Sequence, residues 1–137
     1  MEEYELVKDI NVLYMPADSF PEGIQEAFEK LKSLITPGEN RTLFGLSWPD
    51  KNGKILYKAA FEERYPGEGK IFGLNSFVIK KGSYISEPVN SFASDVPRIG
   101  ETFQRLLEHP NIDPNGFCLE YYKGPDVLCM VRLNPAR

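Results

Sequence analysis

The chain has 137 residues, of which 42% are hydrophobic and 26% charged, and its formal net charge is −4. This length and composition are those of an ordinary single globular domain. Its basic residues are scattered and form no cluster able to contact nucleic-acid phosphates, so we expect no direct binding to DNA or RNA.

Membrane and secretory signals are also missing from the sequence. No apolar run approaches the roughly 20 residues that a membrane-spanning helix needs. The first residues, Met-Glu-Glu-Tyr-Glu, are acidic, whereas a secretory signal begins with basic residues. We therefore expect a cytoplasmic protein that does not enter the membrane.

The first half is predicted to contain a strand, a helix and a hairpin. Apolar and β-branched residues predict a strand over Tyr4–Met15. Ser19–Glu22 is typical of a capping box, and the helix after it should end at Thr36-Pro37-Gly38. Its apolar stripe consists of Ile24, Phe28, Leu31 and Ile35. A turn at Pro49–Gly53 should join the strands Arg41–Trp48 and Lys54–Glu62.

The same order of elements follows in the second half. A Gly-rich segment, Tyr65–Gly69, is interpreted as a linker and leads into a strand over Asn75–Ile85. Ser94–Pro97 opens a helix whose apolar stripe is Ile99, Phe103, Leu106 and Leu107. After it come the strands Gly116–Tyr122 and Val127–Leu133, joined by a turn at Lys123–Asp126.

A short pattern, Ile-x-Glu-x-Phe-x-x-Leu, occurs in both predicted helices, at Ile24–Leu31 and Ile99–Leu106. Amphipathic helices often repeat apolar residues at this spacing, but the shared Glu lies off the apolar stripe. We therefore predict an internal repeat of about residues 1–64 and 70–137. The expected fold is α+β, with two pseudo-symmetric β-α-β-β halves, antiparallel sheets, one main helix in each half and a groove between the halves.

Several common site chemistries lack the residues that they need. The only histidine, His109, precedes a proline at a helix end, and no nucleophile motif accompanies it. One His with Cys118 and Cys129 is too few for a zinc site, and the two cysteines are interpreted as reduced, small hydrophobes. The glycines of Gly67–Gly73 miss the dinucleotide spacing by one residue. We expect no metal and no cofactor.

A carboxylate in the last hairpin is the most informative candidate. Alternation along Gly116–Tyr122 puts Glu120 and Tyr122 on one face, and the predicted turn places Glu120 opposite Cys129. A carboxylate among apolar neighbours marks a candidate functional site, although Glu120 pointing to solvent is an equal alternative. If the halves face each other, the aromatic side chains of Trp48, Tyr57 and Tyr122 would line one groove, which suits a cationic or amphipathic organic ligand.

The order of these features resembles the effector-binding domain of the GyrI-like superfamily, which includes the ligand-binding domains of multidrug-responsive transcription regulators. The resemblance is carried by the duplicated unit, Tyr57–Phe61, Val78–Tyr84 and Gly116-x-x-x-Glu120-x-Tyr122. It implies a groove between the halves in which Glu120 meets cationic ligands beside Tyr122. Many members carry a helix-turn-helix ahead of this domain, and no such segment is expected here. Some stand-alone members are similar to enzymes that hydrolyse strained cyclopropane-containing compounds with glutamates and aromatic residues in the same groove.

Three hypotheses follow, and the leading one is a binding module with Glu120 as its ionic anchor. Its proposed ligand-binding residues are Glu120, Tyr122, Trp48, Tyr57 and Cys129. The second is a hydrolase in which Glu120 acts as acid, base or nucleophile, Tyr122 stabilises charge, and Glu62 or Glu87 supplies a second carboxylate. The third is a partner-binding module in transcription or inhibition. The sequence specifies neither the ligand nor the oligomeric state.

Overall fold

The computed structural model describes residues 1–135 and shows an α+β protein whose strands pair antiparallel. No helix among the described residues is long and apolar enough to cross a membrane. The elements are β1 (Glu2–Leu6), β2 (Ile10–Pro16), α1 (Ile24–Lys32), β3 (Leu43–Pro49), β4 (Ile55–Glu62), α2 (Glu68–Phe72), β5 (Asn75–Ile79), β6 (Gly82–Val89), a 3-10 turn (Phe92–Ser94), α3 (Pro97–Leu106), β7 (Cys118–Lys123) and β8 (Asp126–Arg132).

The chain divides into two compact units. The central unit is Ile10–Ile79, and the terminal unit combines Met1–Asp9 with the chain from Lys80 onward. In each unit a strand, a helix and a hairpin follow one another along the chain, and a further strand gives each unit four strands. The internal repeat itself, with its boundaries near residues 64 and 70, stays a prediction.

The central unit has the strand order β3-β4-β2-β5, and α1 covers one face of this sheet. Its buried core consists of Leu13, Ala27, Leu31, Tyr57, Ala59 and Phe61. The helix is shorter than predicted. It begins after Gly23 without a side-chain cap, so the capping box at Ser19–Glu22 is wrong, and Ile35 packs against the core from beyond the helix end.

The terminal unit has the strand order β1-β6-β8-β7, and α3 packs on one face of it. The core under α3 consists of Ile85, Val89, Phe103, Leu106, Val127, Cys129, Val131 and Leu133. The predicted stripe of α3 is correct except at its end, because Leu107 lies beyond the helix and is exposed. Pro97 stands at the first helical position, where a missing backbone N–H costs nothing.

Two of the predicted strands are each divided into two strands in the structure. The segment Tyr4–Met15 divides into β1 and β2, and Asn75–Ile85 divides into β5 and β6. β1 pairs with β6, whereas β2 pairs with β5, so both segments pass from one unit to the other. Asp9 helps to form the break, since its carboxylate accepts a hydrogen bond of 2.8 Å from the Lys81 backbone N–H.

The Gly-rich segment predicted as a linker contains a buried ion pair. Glu68, at the start of α2, is 2% exposed, and its carboxylate accepts bonds of 2.5 and 2.7 Å from the Arg41 guanidinium. The guanidinium carbon also lies 4.9 Å from the centroid of the Phe61 ring and 5.5 Å from that of Phe72. Gly67 precedes α2 with a φ of 92°, which favours glycine. The segment is therefore a packed part of the central unit.

Removing the Glu68 charge should be costly, because the Arg41 guanidinium stays buried, keeps Glu39 and loses Glu68 as a carboxylate partner. We expect Glu68→Gln to lower the free energy of unfolding by about 3 kcal/mol, measured by urea denaturation. Glu26→Gln is the matched control, because it removes the carboxylate of an exposed ion pair with Lys30 and should leave the midpoint unchanged. Equal midpoints for the two variants would contradict a stabilising role for the buried pair.

The same pair predicts a loss of stability in acid. Hydrogen bonds from the Arg41 guanidinium hold the pKa of Glu68 below its ordinary value of 4.5. A lowered folded-state pKa stabilises the protein above the unfolded pKa, and this contribution is lost as the pH falls through the folded value. Wild type should therefore lose unfolding free energy below about pH 4.5, and the difference between wild type and Glu68→Gln should shrink. A pH-independent difference in urea denaturation would contradict this.

Candidate functional site

Three side chains of the terminal unit lie in one row across its sheet. Glu120 of β7 pairs with Cys129 of β8, and Cys129 pairs in turn with Glu87 of β6. Because directly paired residues point to the same face, all three side chains lie on the face that α3 covers. The predicted pairing of Glu120 with Cys129 is confirmed. Glu87 lies in the same row because β6 pairs with β8 in a register that the sequence did not predict.

Glu120 is buried, with 9% of its surface exposed. The alternative in which it points to solvent is therefore wrong. The Tyr122 hydroxyl donates a hydrogen bond of 2.7 Å to Glu120 Oε1, and the two residues share a face because they are two positions apart in β7. The Tyr122 ring packs edge-on against Phe92, with 5.2 Å between centroids. The carboxylate is thus held in one orientation beside aromatic rings.

Cys129 is fully buried at the centre of the row. Burial, together with the negative charge of Glu120, raises the pKa of its thiol to about 12. The thiol therefore stays neutral near pH 7 and is a poor nucleophile. Its contribution to the site is a small apolar floor between the two carboxylates. Within residues 1–135, no group of three His, Cys, Asp or Glu side chains is arranged to hold a metal ion.

Glu87 has an ionic partner on the helix that covers the sheet. Arg105 of α3 forms a salt bridge with Glu87, and the Arg105 guanidinium also donates a 3.3 Å bond to the Thr102 hydroxyl. Glu87 and Arg105 are 18 residues apart in the chain. No local sequence signal relates them, because the contact depends on how α3 lies on the sheet.

Tyr57 and Trp48, the other predicted aromatic residues, lie in the central unit. Tyr57 is 3% exposed and belongs to the core under α1, with its ring 6.2 Å from that of Phe28. Trp48 pairs with Leu56, the neighbour of Tyr57, so Trp48 lies on the opposite face of the sheet. The central sheet therefore does not bring Tyr57 and Trp48 together.

Two surface pockets occur in the central unit, with volumes of about 210 and 280 Å³. The first lies at the start of α1 and includes Asp18, Glu26 and Lys30, and the second lies along the loop after α1. Neither is lined by Glu120 or Tyr122.

Comparison with known proteins identifies the fold. No family model matches the sequence, and no curated protein matches it. An integron cassette protein from Vibrio cholerae has a TM-score of 0.71 at 13% identity, with 97% of this chain and 95% of that chain covered. The protein SAV2435, solved with bound tetraphenylphosphonium, has a TM-score of 0.62 at 12% identity, with 96% and 91% covered. A hydrolase from Listeria innocua has a TM-score of 0.50 at 14% identity, with 96% and 89% covered. At these identities the likeness shows a shared fold alone.

Proposed function

We propose that this protein binds small amphipathic organic cations and that Glu120 is the ionic anchor of the site. The observation that carries the proposal is a buried carboxylate held by the Tyr122 hydroxyl on an otherwise apolar stretch of sheet. A structural neighbour with a bound organic cation supports the same ligand class. The finer assignment, a GyrI-like effector-binding domain with multidrug recognition, belongs to this proposal.

Burial makes Glu120 an effective anchor. The attraction between opposite charges strengthens as water is excluded, so a buried carboxylate attracts a cation more strongly than an exposed one. The hydrogen bond from Tyr122 fixes the orientation of the carboxyl group. The rings of Tyr122 and Phe92 add apolar contact and faces for cation–π attraction.

The second carboxylate of the row already has a structural role. Arg105 forms a salt bridge with Glu87, so the proposed anchor for a cation is Glu120 and not Glu87. A monovalent cation with a large apolar body suits one anchoring carboxylate beside the buried Cys129 side chain. Participation of Trp48 and Tyr57 in ligand contact stays a prediction.

Replacing the anchor by its neutral isostere tests the proposal. We expect Glu120→Gln to weaken binding of tetraphenylphosphonium by about tenfold or more, because the variant removes an ionic attraction of at least about 1.4 kcal/mol. Triphenylphosphine oxide is a neutral ligand of similar shape, and its affinity should change by less than about twofold. Isothermal titration calorimetry measures both affinities.

Glu87→Gln is the matched control for this experiment, because it removes a carboxylate of the same row that Arg105 already neutralises. Glu87→Gln should reduce the affinity for tetraphenylphosphonium much less than Glu120→Gln does. Equal losses for the cation and the neutral ligand in Glu120→Gln would contradict the anchor role. Equal losses of tetraphenylphosphonium affinity in Glu120→Gln and Glu87→Gln would also contradict it, because both carboxylates would then contribute equally to binding.

Hydrolysis is a second candidate, because a hydrolase shares the fold and the row contains two carboxylates. In this mechanism Glu120 acts as acid, base or nucleophile, and Tyr122 stabilises charge. Strained or electrophilic substrates should then turn over in wild type, with Glu120→Ala reducing the rate by at least ~100-fold. Liquid chromatography of the products measures the rate, and no turnover in wild type would count against this candidate.

A further inference from the structure

The central unit contains an aromatic cage on the sheet face opposite α1. Its walls are the rings of Tyr14 on β2, Trp48 on β3 and Phe77 on β5, and Lys58 on β4 reaches into it. The pairings place all four side chains on one face. Lys58 is two residues from both Leu56 and Ala60, the partners of Trp48 and Tyr14. Phe77 pairs with Val12, which is two residues from Tyr14. Each strand of the sheet contributes one residue.

Curvature of the sheet closes this cage. Trp48 lies on β3 and Phe77 on β5, and these strands are three spacings of about 4.8 Å apart, so a flat sheet would separate their backbones by about 14 Å. Their ring centroids are 6.4 Å apart and the ring planes differ by 16°. The two side chains therefore converge over the inner strands, where Lys58 and Tyr14 lie.

The Lys58 ammonium occupies this space as a resident cation. Its Nζ atom lies 3.9 Å from the ring centroid of Tyr14, 4.6 Å from that of Trp48 and 5.7 Å from that of Phe77. Within residues 1–135, this ammonium has no hydrogen-bond acceptor and no carboxylate partner. Only ring faces hold it, and all four residues are partly accessible to solvent.

Hydration decides which cation this cage prefers. A primary ammonium is compact and strongly hydrated, so Lys58 regains much of its hydration when it swings out into water on its flexible stem. A quaternary ammonium group has no N–H donors to lose to water, and aromatic cages are the usual protein sites for it. When a quaternary ammonium group replaces the Lys58 ammonium in the cage, no hydrogen bond or ion pair of Lys58 is therefore broken.

We propose that the cage of Tyr14, Trp48 and Phe77 is a second ligand site, specific for quaternary ammonium groups, and that Lys58 occupies it in their absence. The residues of this cage belong to the central unit, whereas Glu120 belongs to the terminal unit. The cage favours a compact trimethylammonium group, whereas the Glu120 site is proposed to take large amphipathic cations. Because Lys58 competes for the rings, the apparent affinity is reduced by the fraction of time that Lys58 fills the cage.

The chain offers a direct probe, because Trp48 is its only tryptophan. Choline should change Trp48 fluorescence saturably in wild type, and Lys58→Ala should bind choline about tenfold more tightly because the resident cation is gone. The neutral isostere 3,3-dimethyl-1-butanol and the primary amine ethanolamine should produce no saturable change at the same concentrations. Lys58→Arg keeps a resident cation and should bind no more tightly than wild type.

Lys123→Ala is the matched control variant. Lys123 also lies over aromatic rings, those of Tyr4 and Tyr121, but in the terminal unit and with two rings. This variant should bind choline as wild type does, whereas Phe77→Leu should weaken binding by removing one wall. The proposal is overturned if Lys58→Ala binds choline no more tightly than wild type, or if the neutral isostere binds equally well. If Lys58→Ala does not fold, the proposal is tested in wild type by comparing the Trp48 fluorescence change with choline to that with 3,3-dimethyl-1-butanol. Equal binding of the two compounds would overturn it.

Discussion

Antiparallel register is the constraint on which the candidate sites depend. In a paired sheet, residues directly opposite one another point to the same face, and a shift of one residue would send each side chain to the other face. The β6-β8-β7 pairing places Glu87, Cys129 and Glu120 under α3, and the apolar contacts of α3 hold that register. The same rule in the central sheet places Tyr57 under α1 and Trp48 on the opposite face.

The two units handle buried charge in different ways. In the central unit the carboxylate of Glu68 is matched by Arg41, and this pair fastens α2 to the strand hairpin. In the terminal unit Glu87 has Arg105, whereas Glu120 receives a hydrogen bond from the neutral Tyr122 hydroxyl. Ion pairs of this kind maintain structure. The proposed function rests on Glu120 because its carboxylate is buried and is oriented by the Tyr122 hydroxyl.

A local sequence pattern predicts that an aromatic residue lies on a strand, but it does not predict what surrounds the ring. Trp48, Tyr57 and Tyr122 are all aromatic residues on predicted strands, and the sequence alone predicts the same role for all three. The structure gives them three different surroundings: Tyr57 fills a core, Tyr122 orients a carboxylate, and Trp48 forms a wall around Lys58. Which surroundings each ring has depends on strand pairing and sheet curvature, neither of which is encoded in a short window.

Local patterns alone determined the two main helices α1 and α3, the two hairpins and the pairing of Glu120 with Cys129, because apolar periodicity and turn residues act over a few positions. They failed where the chain passes between units, since no glycine or proline marks the break between Leu6 and Ile10. Only the tertiary structure decided that Glu68 meets Arg41, that Glu87 joins the row of Glu120, and that four strands place Lys58 among three rings. These contacts join residues distant in sequence, and they form because the sheets curve and the helices cover one face of each.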